Sequence, residues 1–200
     1  MLPSQYLPEK LTEVDYIAAA RLLKCNVAAI KTVAEVESKG DGFLSDGRLK
    51  VLFEGHHFYK YTKGAFGTSH PSLCYPKWTR EFYSKGATRD IQGAGELQRL
   101  ESAMALNRPA ALLSASYGKF QVMGFNFAIC GFVTVEDFFE AMKKNEGEHL
   151  NAFCNYIKGN CLDDELRNQQ WDKFACRYNG PEYKKNRYDA SLAAAYSKYS

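Results

Sequence analysis

Several features are scarce in this 200-residue chain, and each scarcity removes a class of function. No apolar run approaches the roughly 20 residues that a membrane-spanning helix needs, so stable membrane insertion is not expected. Charge of one sign is not in excess: 26 Lys plus Arg stand against 23 Asp plus Glu, a formal charge of +3. The basic residues are scattered apart from Lys184, Lys185 and Arg187, which is too diffuse for a nucleic-acid footprint. Six cysteines (Cys25, Cys74, Cys130, Cys154, Cys161, Cys176) form no CxxC pair. Several fall on apolar helical stripes, where a reduced thiol packs as a small hydrophobe, so neither disulfides nor zinc are expected. The N-terminal MLPSQYLPEK carries acid and proline where a leader needs an uninterrupted apolar stretch. The expectation is a chain with no signal peptide, made as a soluble cytoplasmic protein. Repeats and low-complexity tracts are missing as well.

What is present is enough apolar material, 46% of the residues, to fill one well-packed domain spanning 1–200. Leu11 to Leu23 reads as a first helix with Leu11, Val14, Ala18, Leu22 and Cys25 on one stripe. Val27 to Ser38 follows as a second, capped by Asn26 and ended by Gly40 and Gly42. Phe43 to Phe53 reads as a small β-hairpin around Asp46-Gly47. Residues 60–95 are rich in aromatics and glycine with little periodicity, the composition of an ordered loop that can stack on sugar rings or pack on itself. Helical patterning resumes over Glu96–Leu106, and Pro109 suits the first turn of a helix running to Tyr117. Thr134 to Asp137 resembles a capping box, followed by a stripe of Val135, Phe138, Phe139 and Met142. Two further amphipathic helices carry Leu150, Phe153, Cys154, Ile157 and then Trp171, Phe174, Ala175, Tyr178. The second of these stops at Asn179-Gly180-Pro181, and Ala190–Tyr199 can form a last short helix. The fold class that follows is mainly α with a small β-hairpin.

One residue breaks the pattern. At about 100° per residue, Glu37 projects into the arc of Val27, Ile30, Val33 and Ala34, at the C-terminal end of their helix. Burial and the negative end of the helix dipole both disfavour its ionised form, and a carboxyl that keeps its proton near neutral pH can give it to a leaving oxygen. A helix-terminal glutamate leaning to solvent, or capping a backbone amide, satisfies the same periodicity. Glu35 projects elsewhere, beside Lys31, and reads as a surface charge.

Three segments take the argument further: AEVESKGDGF at 34–43, SYGKFQVMGFN at 116–126 and RYNGPEY at 177–183, with LFEGHHFY at 52–59 and YDASLAAAY at 188–196. Together, from about Leu11 to Tyr196, they resemble the N-acetylmuramidase family of phage endolysins, within the goose-type lysozyme and lytic transglycosylase group. The resemblance implies a lysozyme-like α-helical catalytic domain, to which some relatives add a wall-binding domain; a catalytic unit filling 1–200 leaves no room for one here, so none is expected. The family's acid corresponds to Glu37, its cleft glutamine to Gln121, and its wall tyrosine and asparagine to Tyr178 and Asn179; with Ser38 next to the acid and Tyr117 just before the glutamine, Ser38, Tyr117, Gln121, Tyr178 and Asn179 are the expected substrate-binding residues. Gln and Asn amides can donate to and accept from sugar N-acetyl and hydroxyl groups, and Tyr offers an apolar face with a polar tip. Each also has a plainer use, since Gly118 can end a helix, Gln121 can satisfy backbone, and Asn179-Gly180-Pro181 can be a stop signal.

Glycosidases pair their acid with a second carboxylate. Glu54 is the first candidate, placed by strand alternation on the face opposite Val51 and Phe53; Asp46, already explained by the turn, and Glu101 come after it. Transglycosylases of the group need no such partner. His56 and His57 invite a metal reading with His70 and Cys74, but adjacent histidines on an extended segment point to opposite faces, so no metal or other cofactor is expected and one histidine orients Glu54 or lines the cleft.

The function implied is a monomeric endolysin that cuts the β-1,4 bond between N-acetylmuramic acid and N-acetylglucosamine in bacterial peptidoglycan, held in the host cytoplasm until the inner membrane is permeabilised. The alternatives are a transglycosylase giving 1,6-anhydro products and a non-catalytic wall-binding or virion structural domain.

Overall fold

The computed structural model describes residues 7–38 and 41–200, Ser38 by its backbone only. Two helices lead: α1 (Glu13–Leu23) and α2 (Val27–Ser38), joined by a turn in which Lys24 takes left-handed φ 54° and the Asn26 side chain accepts from the Ala29 amide at 2.9 Å. The buried face of α1 is not the expected stripe. Ala19, Ala20 and Leu23 point inward, while Val14 and Leu22 are 73% and 48% exposed. Two adjacent alanines let α1 approach α2 and α6 closely, and that fit outweighs the burial of longer side chains on the other face. Helix α2 is covered by α1, α7 and α9, and Ala29, Ile30, Thr32, Val33 and Ala34 are all buried.

The β structure differs most from expectation. Phe43 and Leu49 meet in one isolated antiparallel bridge around the Asp46-Gly47 turn, with Gly47 at φ 85°. The sheet proper joins segments far apart in sequence: β1 (Val51–Phe53) pairs antiparallel with β2 (Ala115–Tyr117), which pairs with β3 (Val122–Met123), in the order β1-β2-β3. The helix expected to run to Tyr117 therefore stops at Leu113. The last residues switch to the strand that β1 needs for its backbone partners.

A helix not foreseen, α3 (Gly55–Thr62), follows β1 directly. Its first residue has to be glycine, because a Cβ at Gly55 would lie 2.6 Å from the Leu73 carbonyl oxygen. Residues 63–88 are largely turns, as their composition predicts. Helix α4 (Arg89–Leu113) begins at Arg89 rather than Glu96, with the Thr88 hydroxyl accepting from the Ile91 amide at 3.3 Å. It breaks at Asn107 (φ −158°, ψ 95°), whose side chain caps Ala110 at 3.1 Å, with Pro109 in the first turn of the resumed helix.

The C-terminal half follows its sequence pattern: α5 (Val135–Met142) behind the Thr134–Asp137 capping box, α6 (Glu146–Gly159), α7 (Asp163–Arg167), α8 (Trp171–Asn179) and α9 (Tyr188–Tyr199). Its aromatic centre stacks Phe120 on Phe153 at 4.3 Å and Phe174 on Tyr178 at 5.1 Å. The fold is mainly helical with a small antiparallel sheet. The cysteines are free; Cys74, Cys130 and Cys154 are buried, but Cys161, in the turn between α6 and α7, and Cys176, on α8, lie at the surface. Among the described residues no helix is long and apolar enough to cross a membrane.

Candidate active site

Helix α2 ends in a carboxyl set against protein on nearly every side. Val33 and Ala34 lie one turn behind Glu37 and are buried. The residue keeps some exposure at the cleft surface, but its carboxyl is densely surrounded, and burial pushes it up to about 7 from the usual 4.5. The Asn179 side chain, from the end of α8, donates to Glu37 Oε1 at 2.8 Å and pulls in the opposite direction. Burial wins. Around neutral pH this group is able both to hold and to release a proton.

Tyr178 stands beside it as structural wall. Its hydroxyl donates to the Phe120 carbonyl at 2.7 Å, and burial, then the charge of Glu37, pushes its phenol far above the ordinary range. The Asn179 Oδ1 is buried, and among the described residues it has no hydrogen-bond partner. Thus α8 supplies two of the expected residues at the carboxyl, one as packing and one as donor.

Glu54 is not on a hairpin arm. It occupies the junction between β1 and α3, where its amide donates to the Ser114 carbonyl at 2.9 Å and extends the pairing of β1 with β2. Tyr83 donates its hydroxyl to Glu54 Oε1 at 2.7 Å, and His56 Nδ1 lies 3.3 Å from Oε2. Since α3 is helical, His56 and His57 do not point to opposite faces; their rings lie 4.2 Å apart, and His57 continues to Phe125 at 5.1 Å. Burial lowers His57 to about 4, so it is neutral at neutral pH. Among the described residues no group of three or more His, Cys, Asp or Glu side chains is arranged to hold a metal ion.

A groove of about 1320 Å³ runs past Glu37, walled by α2, by α9 with Tyr188 at its start, and by Arg80 and Asn186. Glu54 is not on this wall. The two carboxyls are nonetheless linked through Tyr188, half-buried at the groove, whose phenol is raised first by burial, then by the charge of Glu37 and, more weakly, by that of Glu54. Tyr188 therefore lies within electrostatic range of both.

The remaining sequence candidates separate. Gln121 sits at φ 47° in the β2–β3 turn, its Oε1 accepting from Ser116 Oγ at 2.9 Å and its Nε2 donating to the Gly118 carbonyl at 2.8 Å. The amide closes the hairpin and retains one hydrogen and one lone pair for another partner. Tyr117 does not reach any cleft: it is 1% exposed, its hydroxyl donates to the Leu112 carbonyl at 2.9 Å, and Phe138 and Phe139 pack edge-on against its ring. The inward side of β2 places it in the core. The side chain of Ser38, and all of Gly40, lie outside the described residues. Asp46 accepts from Arg48 in its turn, and Glu101 is exposed on α4. Glu35 pairs not with Lys31 but with Lys198 on α9 at 2.8 Å, because α9 packs across that side of α2.

Two buried acids that periodicity did not single out hold the frame. Glu146, 1% exposed at the start of α6, accepts from the Gly42 amide at 2.8 Å, the Leu11 amide at 3.0 Å and the Lys119 ammonium at 3.0 Å. Glu96 on α4 accepts from the Phe53 amide at 3.1 Å, the Ser84 amide at 2.6 Å and Arg99 at 2.8 Å. The first pins the chain leaving the Glu37 helix; the second pins the strand entering Glu54. A first-turn helix acid such as Glu146 looks in sequence like any solvated one. Tyr83 and Tyr188 carried a fainter signal, lying in the aromatic-rich segment and in the YDASLAAAY motif.

A mainly helical domain with a small antiparallel sheet, and a desolvated acid closing an apolar helix, defines a lysozyme-like class. The chain belongs to the N-acetylmuramidase family, whose model matches residues 26–200. Its structure is similar to the crystal structure of the Burkholderia AP3 phage endolysin, with a TM-score of 0.82 and 38% identity, over 96% of this chain and 71% of that one. No curated protein matches the sequence. By class this is a peptidoglycan-cleaving enzyme.

Proposed function

We propose that the protein is a muramidase that hydrolyses the β-1,4 bond between N-acetylmuramic acid and N-acetylglucosamine, with Glu37 as general acid. The observation carrying this reading is the Glu37 carboxyl itself, raised to about 7 by burial and oriented by the Asn179 amide. Protonated, it delivers its proton to the glycosidic oxygen as the bond to the anomeric carbon breaks; ionised afterwards, it is stabilised by the Asn179 donor. Glu54, aimed by the Tyr83 hydroxyl with His56 beside its other oxygen, is the second carboxylate and activates the attacking water. Gln121, half-buried and with one amide hydrogen and one lone pair unused, offers an amide contact to the sugar. The likeness to a phage endolysin supports a role in host lysis, with the enzyme reaching the wall once the inner membrane is permeabilised.

A folded Glu37→Gln variant is expected to clear purified sacculi about 10³-fold more slowly than the parent, within the range general acid catalysis supplies. Clearing at the parental rate would reject Glu37 as the acid. The bond and its fate are read from mass spectra of released muropeptides: hydrolysis leaves a reducing muramic acid, whereas transglycosylation leaves an anhydro end lighter by one water.

A further inference from the structure

Arg80 is a cation of the groove with no carboxylate to answer it. Its guanidinium donates to the Asn186 side-chain oxygen at 2.7 Å and lies over the Trp78 ring, 5.6 Å from the centroid. Among the described residues it forms no ion pair, whereas three other cations on the same groove wall are matched: Lys31 by Glu13, Lys119 by Glu146 and Lys198 by Glu35. Trp78 itself is 53% exposed, a large apolar face left open beside the charge. Arg80 and Glu37 line one groove, and the charge of Arg80 is felt by the Tyr188 phenol that also feels Glu37. The result is an open site, close to the acid, that combines a guanidinium fork held in place at one end with an aromatic face.

The substrate places a matching group there. Muramic acid carries, on the ring whose bond is cut, a lactyl ether extended by a peptide with free carboxylates. An anionic, partly aliphatic stem must therefore leave the cleft within a few residues of the scissile oxygen. A guanidinium presents parallel N–H donors to a planar carboxylate, and an exposed indole covers the aliphatic part of a peptide. We infer that Arg80, positioned by Asn186 and flanked by Trp78, binds a carboxylate of the stem peptide and gives the enzyme its preference for stem-bearing, unamidated peptidoglycan. The inference rests on the muramidase reading given above.

The test compares sacculi with free stem carboxylates against the same sacculi after those carboxylates are converted to primary amides. The quantity read is the ratio of kcat/KM on the two substrates, in the parent, Arg80→Gln and Arg80→Lys. The parent is expected to favour the free form, Arg80→Gln to lower the ratio about tenfold through KM rather than kcat, and Arg80→Lys to recover part of it, since lysine keeps the charge but not the fork. A ratio that Arg80→Gln leaves at the parental value overturns the inference while leaving the muramidase reading intact. A parent that releases no muropeptides from either substrate overturns that reading, and this inference with it.

Discussion

Glu37 and Glu54 are two carboxylates in one catalytic domain with opposite kinds of neighbour. Glu37 closes an apolar helix, has protein packed round it, and receives the Asn179 amide donor. Glu54 opens a helix, at the junction with a strand, and receives a phenol on one oxygen with an imidazole near the other. Behind each is a buried acid with the same wiring: two backbone amides from distant segments and one cation, around Glu146 for the first and Glu96 for the second. The frames are alike and the immediate settings are not. Desolvation suits a group that must start protonated, whereas directed polar contacts suit one that must be aimed at a water. On the reading proposed above, the two tasks divide along this difference in surroundings, since the side chains are chemically identical.

The first way to break this comparison is to remove a frame and leave the carboxyls alone. Glu146→Ala takes the carboxylate away from a Lys119 ammonium that is itself nearly inaccessible, and orphans the amides of Gly42 and Leu11. Breaking a buried pair by deleting one member costs about 3–5 kcal/mol. Chemical denaturation is expected to show that loss, and activity should fall with it because the chain leaving Glu37 loses its anchor. A loss under about 1 kcal/mol would show that the network adds little beyond the surrounding packing.

A smaller effect probes the Glu37 setting through pH. Its unfolded carboxyl titrates near 4.5 and its folded one near 7, so between those values the native state binds more protons than the unfolded one. Stability from this group is therefore intact below about pH 4.5, declines as pH rises toward 7, and stays reduced above it. At 1.36 kcal/mol per pH unit, discounted for the partial exposure of the residue, the penalty is about 2 kcal/mol. Glu37→Gln removes the ionisation and keeps an acceptor for Asn179, so it should raise Tm by a few degrees at pH 8 and hardly at all at pH 4. An equal shift at both pH values would mean that the substitution acts through packing, and none at pH 8 would mean that the carboxyl is well solvated.

What could be read in advance follows the range of the interactions. Helix α2, α5, α6 and α8 were legible because their stripes and caps are local, and Glu37 stood out for the same reason, as a charge inside a stripe. The first-helix stripe failed because Val14 and Leu22 are as apolar as the residues on the opposite face, and only the close approach of α2 and α6 to Ala19 and Ala20 decides between them. The sheet was illegible because Val51 pairs with Tyr117, and nothing in Ala110–Leu113 warns that its helix is about to become a strand. The need of a glycosidase for a second carboxylate pointed to Glu54, through a hairpin arm that is not there, and its partner Tyr83 lies 29 residues away in a segment without periodicity. Resemblance carried Tyr117 into the site, where burial in the core removes it.

The finest test of the comparison is Tyr83→Phe, because it deletes one hydroxyl and keeps the ring. The phenol is itself pushed upward, by burial first and by the charge of Glu54 next, so it stays a neutral donor throughout the working pH range. Losing that donor removes the one side-chain hydrogen bond that Glu54 receives among the described residues and leaves its carboxyl free to turn about its side-chain bonds. One hydrogen bond of this kind is worth about 1 kcal/mol, which corresponds to about fivefold in rate. The decrease should appear in kcat with KM nearly constant, since the hydroxyl aims a carboxyl and holds no substrate. A decrease as large as that of Glu37→Gln would instead make Tyr83 a participant in the chemistry. Parental kcat would show that Glu54 keeps its place without the hydroxyl, and the contrast between the two settings would then rest on burial.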